Sequence, residues 1–239
     1  MVRLRIDILS AVPRLLDSWF AESILQRAQQ KGLVEVVVHD LRQWSTDKHR
    51  RIDDYVFGGG AGMVLQVEPI HRAITQLKGE RPYDAVIYLS PDGELLDQPL
   101  ANRLSVHRNL ILLCGHYKGV DERVRTHLVD LEVSIGNYVL SGGELGAAVL
   151  SDALIRLVPG VLSDETSALS DSFQDGLVAP PVYTRPAVYG DWKVPDILLS
   201  GHEARIAEWR HQQAVERTRE RRPELLEGGG DGTGTFGEG

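Results

Sequence analysis

The sequence predicts an α/β fold, a parallel sheet with helices on both faces, followed by a small, mainly helical C-terminal domain. Three observations predict it. Apolar runs of strand length recur at 5–12, 34–41, 85–90, 109–114 and 131–135. Most gaps between them carry apolar residues at helical spacing, the alternation that builds parallel sheets covered on both faces. After Gly160 the texture changes to polar and proline-bearing segments and one long helical pattern.

The elements follow in chain order. Pro13 suits a first helical turn, Leu15, Leu16, Trp19, Ile24, Leu25 and Ala28 form an apolar stripe, and Gly32 closes it, so one helix is expected across this span. Stripes at Ile70, Ala73, Ile74 and Leu77, and at Leu100 and Leu104, mark two further helices. The strand at 131–135 alternates Leu131, Val133 and Ile135 with Glu132 and Ser134, then enters a last core helix through SIGNYVLSGGEL. There Ser141 and Glu144 have the spacing of a capping box, and the helix is expected to stop at Val158, Pro159 and Gly160. The polar stretch SDETSALS at 163–170 has the composition of a flexible linker. Proline-rich turns run to Pro195, and a helix over 203–222 has Ile206, Trp209 and Val215 as anchors. The tail GGGDGTGTFGEG is expected to be disordered. The domain plan is therefore 1–162, a linker at 163–170, a helical domain at 171–226 and a tail at 227–239.

At 239 residues, with 42% hydrophobic and 25% charged side chains, the chain is of the soluble globular kind. Its apolar runs fall short of the ~18 residues that span a bilayer. The start MVRLRIDILSAV lacks the apolar core of a signal peptide, so a cytoplasmic location is expected. A single cysteine, Cys114, excludes an intrachain disulfide and a cysteine-based zinc site. The net charge of −8 is unevenly spread. Bases cluster at Arg42, Lys48, Arg50 and Arg51 and again at Arg205, Arg210, Arg217, Arg219, Arg221 and Arg222. Such patches on an acidic body are compatible with an RNA partner.

Three strand ends carry turn chemistry: SPDG at 90–93, CGHYKG at 114–119 and SIGNYVLSGGEL at 134–145. In open α/β sheets ligands sit outside the carboxyl ends of strands, so the three loops are expected to form one pocket. Gly136, Gly142 and Gly143 are expected to turn with positive φ and to bring backbone close to the ligand. None of the three loops carries a Walker motif or G-x-G-x-x-G, and Glu144 opposes an anion. The ligand expected is therefore an uncharged or partly cationic small molecule. Cys114, after four apolar residues, reads as a buried small side chain, and His39 and His49 as loop or surface residues without metal spacing.

Taken in order, HDLRQWSTDKHRRIDDYVFGGGAGM (39–63), IYLSPDG (87–93), LLCGHYKGVDERV (112–124), SIGNYVLSGGEL, LVPGVL (157–162), DSF (171–173), YTRP (183–186), LLSGHEARIAEWR (198–210) and RRPELL (221–226) resemble the bacterial tRNA (guanine-N1)-methyltransferase family of the SPOUT superfamily. The resemblance runs from the first strand to about Leu226. It implies a deep trefoil knot in the catalytic domain, which general connectivity rules would reject. It also implies methyl transfer from S-adenosylmethionine to N1 of the guanosine at tRNA position 37, just 3′ of the anticodon, by a homodimer whose active site is shared between subunits. The cofactor contacts so implied are Tyr88, Leu89, Ser90, Pro91, Gly115, Ile135, Gly136, Asn137, Tyr138, Val139, Leu140, Gly142 and Gly143. Asp171 matches the general base and Arg156 the cation that steadies charge building toward O6. Contacts to the tRNA anticodon stem-loop are implied for Arg50, Asp53, Arg185, His202 and Arg210.

Members of this family use magnesium, which the resemblance would put near Asp171 and the cofactor. Lys118 stands where the family commonly has an acid, and a charged lysine cannot ligate a cation. His116 replaces a common Arg and Asn137 a common Asp. From the residues alone, Asp171 also reads as a helix N-cap and Arg156 as a cation at a helix C-terminus. The alternative functions are a SPOUT methyltransferase acting on another RNA base and a non-catalytic RNA-binding or cofactor-sensing paralogue. The presence of both Asp171 and Arg156 favours the enzyme.

Overall fold

A computed structural model describes residues 2–162 and 171–227, which fall into two compact units. The expected linker at 163–170 and the tail from 228 onward lie outside the described residues.

In the first unit β1 (Leu4–Ser10), β2 (Val34–Asp40), β5 (Ala85–Leu95), β6 (Asn109–Cys114) and β7 (Leu131–Ser134) form one sheet in the order β2-β1-β6-β5-β7. Every pairing in it is parallel. Side chains alternate across a strand, so each strand feeds two cores. Leu4, Ile6 and Ile8 pack with Ile87, Leu110 and Leu112 under α1 (Ser23–Gln30), α3 (Gln98–Ser105) and α5 (Glu144–Ile155). Leu9, Val86, Tyr88, Ile111 and Leu113 pack on the opposite face under α2 (Val67–Glu80) and α4 (Glu122–Leu128). This is the predicted parallel sheet with helices on both faces. A small antiparallel pair, β3 (Asp53–Tyr55) and β4 (Met63–Leu65), stands apart from it.

Three local expectations are corrected. The first helix is not continuous: Pro13–Leu16 is one 3-10 turn, and α1 begins only at Ser23, whose φ of 55° interrupts the helix. Leu15 and Trp19 are consequently exposed rather than part of the stripe. α5 ends at Ile155, and tight turns carry the chain on to Val161. His39 is neither loop nor surface: it lies in β2, and its Nε2 is 2.7 Å from Oδ1 of the fully buried Asp7. Asp7 also accepts from Arg5 Nε at 2.7 Å and from the Tyr83 hydroxyl at 2.6 Å, so its charge is compensated inside the sheet.

The second unit holds a two-stranded hairpin, β8 (Val188–Tyr189) with β9 (Trp192–Lys193), and helices α6 (Asp196–Leu199), α7 (Glu203–Arg221) and α8 (Glu224–Glu227). The predicted long helix is present. Its deepest residues are Ala214 and Thr218, with Ile206, Trp209 and Val215 half-buried.

Candidate functional site

The chemistry begins where β5, β6 and β7 run out at their carboxyl ends. β5 does not stop at Ser90. Leu89 and Glu94 both face Val133, so residues 90–93 bulge out of the ladder and the strand then resumes. This bulge and the loops after β6 and β7 line a cavity of about 330 Å³, within the size range of small-molecule sites. Tyr88, Leu89, Ser90, Pro91, Gly115, Ile135, Gly136, Tyr138, Val139, Leu140, Gly142 and Gly143 all line it. Asn137, alone of the residues assigned to this pocket from sequence, is not in the lining and lies exposed.

Two of the loops pass against each other. Gly143 N–H donates to the Gly115 carbonyl at 2.8 Å, and His116 bridges Gly142 in antiparallel fashion. A Cβ on Gly143 would lie 2.8 Å from Cys114 Cα and from Gly115 N, so a side chain there would push backbone apart. This close passage, and not positive φ, accounts for the glycine: Gly143 has φ −79°, while Gly136 has φ 151°. The expected capping box is absent as well. Gly143 is the N-cap of α5, and Glu144, buried, turns inward to accept a 2.7 Å hydrogen bond from the Ser10 hydroxyl at the end of β1.

The lining combines apolar and polar groups. Tyr138, Val139 and Leu140 present apolar surface that the protein itself leaves uncovered, at 55%, 83% and 40% exposure. Among the polar groups, Arg125 holds Glu132 through two 2.8 Å bonds and Asp92 through one of 2.6 Å, and lies 5.8 Å from the Tyr88 ring centre. Burial pushes the Tyr88 phenol up to about 12, so it remains protonated at neutral pH. The Ser90 hydroxyl and then Arg125 hold the Asp92 carboxyl below its ordinary value. His116 Nδ1 is buried with no hydrogen-bond partner. Arg125 and Asp92 were missed from sequence because their pairing spans 33 positions and no local pattern announces it. Burial, and then the Glu144 charge, push the Cys114 thiol up, which denies it the thiolate form a nucleophile needs.

The segment containing Arg50 and Asp53 is docked beside this cavity. Leu65 N–H donates to Gly119 O and Lys118 N–H to Met63 O, each at 3.0 Å. Arg50 itself is exposed with φ 56°. Arg156 is the C-cap of α5 and half-buried. In the second unit Asp171 opens a turn rather than a helix, and Arg185, His202 and Arg210 are exposed, with Arg210 on α7. Among the described residues no group of three or more His, Cys, Asp or Glu converges as a metal site.

A family model described as tRNA (guanine-1)-methyltransferase TrmD matches residues 4–228. A tRNA (guanine-N(1)-)-methyltransferase of Cytophaga hutchinsonii is 65% identical over 224 residues, covering 94% of this chain and 95% of the relative. Relatives of the same name from Bacteroides thetaiotaomicron and Flavobacterium johnsoniae are 61% and 62% identical, each covering 94% of this chain and 100% and 99% of their own lengths.

Proposed function

Since the chain belongs to the tRNA (guanine-1)-methyltransferase family, we propose that it transfers a methyl group from S-adenosylmethionine to N1 of the guanosine at tRNA position 37. The observation that carries the reading is the cavity at the ends of β5, β6 and β7, together with the residues that line it. An adenine ring suits the apolar wall of Tyr138, Val139 and Leu140, and a sulfonium cation suits a pocket that has carboxylates nearby and no anion cradle. When bound, the cofactor supplies the methyl group. The close passage of backbone at Gly115 and Gly143 supports the deep trefoil knot expected of the SPOUT fold.

Guanine N1 carries a proton at neutral pH. Asp171 removes it, and Arg156 neutralises the charge that builds toward O6. Deprotonated N1 attacks directly, so no protein nucleophile is called for, in keeping with the buried thiol of Cys114. The first unit holds the cofactor and offers Arg50 and Asp53 to the tRNA anticodon stem-loop; within the second unit Arg185, His202 and Arg210 are the residues offered to it. The target lies in an unpaired loop, where exposing a base costs little. A cytoplasmic location follows from this substrate, and no helix among the described residues is long and apolar enough to cross a membrane.

A homodimer is part of the proposal. α5 is apolar nearly all round, and Leu145 and Val149, one helical turn apart, remain 53% and 41% exposed. α5 packs against the 3-10 turn bearing Leu15, itself 57% exposed. A helix of that character is ordinarily buried, and a second copy of the chain would bury it. Magnesium does not fit the position of Lys118, whose side chain lies along Gly62 at the cavity edge and carries no oxygen ligand. No step of the mechanism is assigned to a metal.

Incubating the protein with labelled S-adenosylmethionine and tRNA transcripts that differ only at position 37 tests the activity. Label is expected on the G37 transcript alone; equal labelling of an A37 transcript would favour a methyltransferase acting on another base. Asp171→Ala is expected to bind the cofactor normally and to lose transfer, and retained turnover would remove Asp171 as the base.

A further inference from the structure

Building on the reading of Asp171 as the base, we infer that helix α7 positions that carboxylate through the turn that follows it, with Thr218 and Phe173 as positioning residues. Residues 171–179 contain no helix or strand, so only cross-ties give them a fixed shape. Phe173 N–H donates to Leu177 O at 2.7 Å, and the Ser172 hydroxyl accepts from Ala179 N–H at 2.9 Å, closing the turn immediately after Asp171. Phe173 has φ 75°, a left-handed conformation that a bulky residue adopts only when its surroundings impose it.

The surroundings are the last turn of α7 and the residue that caps it, Arg222. Thr218, fully buried, accepts from Val178 N–H at 2.9 Å and donates its own proton to Ala214 O at 2.7 Å. Four residues on, the guanidinium of Arg222 lies 5.4 Å from the centre of the Phe173 ring. The turn is therefore tied to the helix at both of its ends. α7 also carries Arg205, Arg210, Arg217, Arg219 and Arg221, the basic residues suited to phosphate. Helix and base-bearing turn form one piece, so the contacts that seat α7 on tRNA also deliver Asp171 to its substrate.

The full-length protein is assayed as Thr218→Val, Thr218→Ser and Phe173→Gly with saturating cofactor and varied G37 transcript. Phe173→Gly relieves the left-handed backbone and removes the ring, and thermal melting of each variant beside wild type shows that rates are read from folded protein. Thr218→Val and Phe173→Gly are expected to lower kcat by about tenfold or more, since a misplacement of about 1 Å can cost roughly 100-fold, with KM for tRNA unchanged. Thr218→Ser keeps the hydroxyl and is expected to restore the wild-type rate. Unchanged kcat in Thr218→Val and Phe173→Gly overturns the inference, as does a rise in KM that accounts for all of the loss. Asp171→Ala separates the two claims. If it is inactive while the other variants turn over normally, the bracing fails and the base stands; if it remains active, the assignment of the base has failed.

Discussion

Asp7 carries a charge at the centre of a sheet because three donors meet it there. Burial alone would raise its carboxyl, but hydrogen bonds from His39, Arg5 and Tyr83 outweigh that and hold it well below the usual carboxylate range. The folded state therefore holds this proton more weakly than the unfolded chain does. Its contribution to stability is complete above the unfolded value of about 4 and is lost as pH falls from there toward the depressed folded value. Asp7→Asn is expected to cost about 1–3 kcal/mol at neutral pH, because its three donors lose a charged acceptor while Arg5 keeps its pairing with Glu35. Thermal melting followed from pH 7 downward checks this: the gap between wild type and variant should narrow in acid, and a constant gap would contradict the assignment. Lys118 allows a test of different chemistry. If its ammonium takes over part of a metal's role, Lys118→Glu should make turnover more dependent on magnesium than wild type. Equal, steep dependence in both proteins would refute that exchange.

The cavity loops work as elements because two of them touch through backbone. Gly143 lies in an ordinary helical region of φ, so alanine there has no conformational cost of its own; the cost is the 2.8 Å approach of its Cβ to Cys114 and Gly115. Overpacking of this kind costs about 1–3 kcal/mol. Gly143→Ala is expected to weaken S-adenosylmethionine binding by about tenfold, equivalent to roughly 1.4 kcal/mol, as read by isothermal titration calorimetry. Wild-type affinity would mean that the loops can separate without disturbing the pocket. Periodicity identified α5 and the strand before it. It misassigned the cap, because the Ser141-to-Glu144 spacing carries no information about Ser10, which lies 134 positions from Glu144 and draws its carboxylate inward.

At the scale of the whole molecule, the apolar surface of α5 is the feature a single chain leaves unexplained. Leu145→Glu combined with Val149→Glu places charge on that surface without touching the buried side of the helix. Sedimentation velocity is expected to show wild-type dimer and variant monomer, with methyl transfer lost in step. A variant that stays dimeric would place the subunit contact elsewhere. Strand order in the chain, the two-sided core, the loops that line the cavity and the family were determined by the amino-acid sequence itself, since each rests on local periodicity or on motifs whose order survives without coordinates. Only the tertiary structure decided that Arg125, Asp92 and Glu132 meet at the pocket, that Glu144 serves β1 instead of capping its helix, and that Thr218 and Arg222 hold the turn after Asp171. These are contacts between residues far apart along the chain, and they arise from the packing of whole elements, which no short window of sequence encodes.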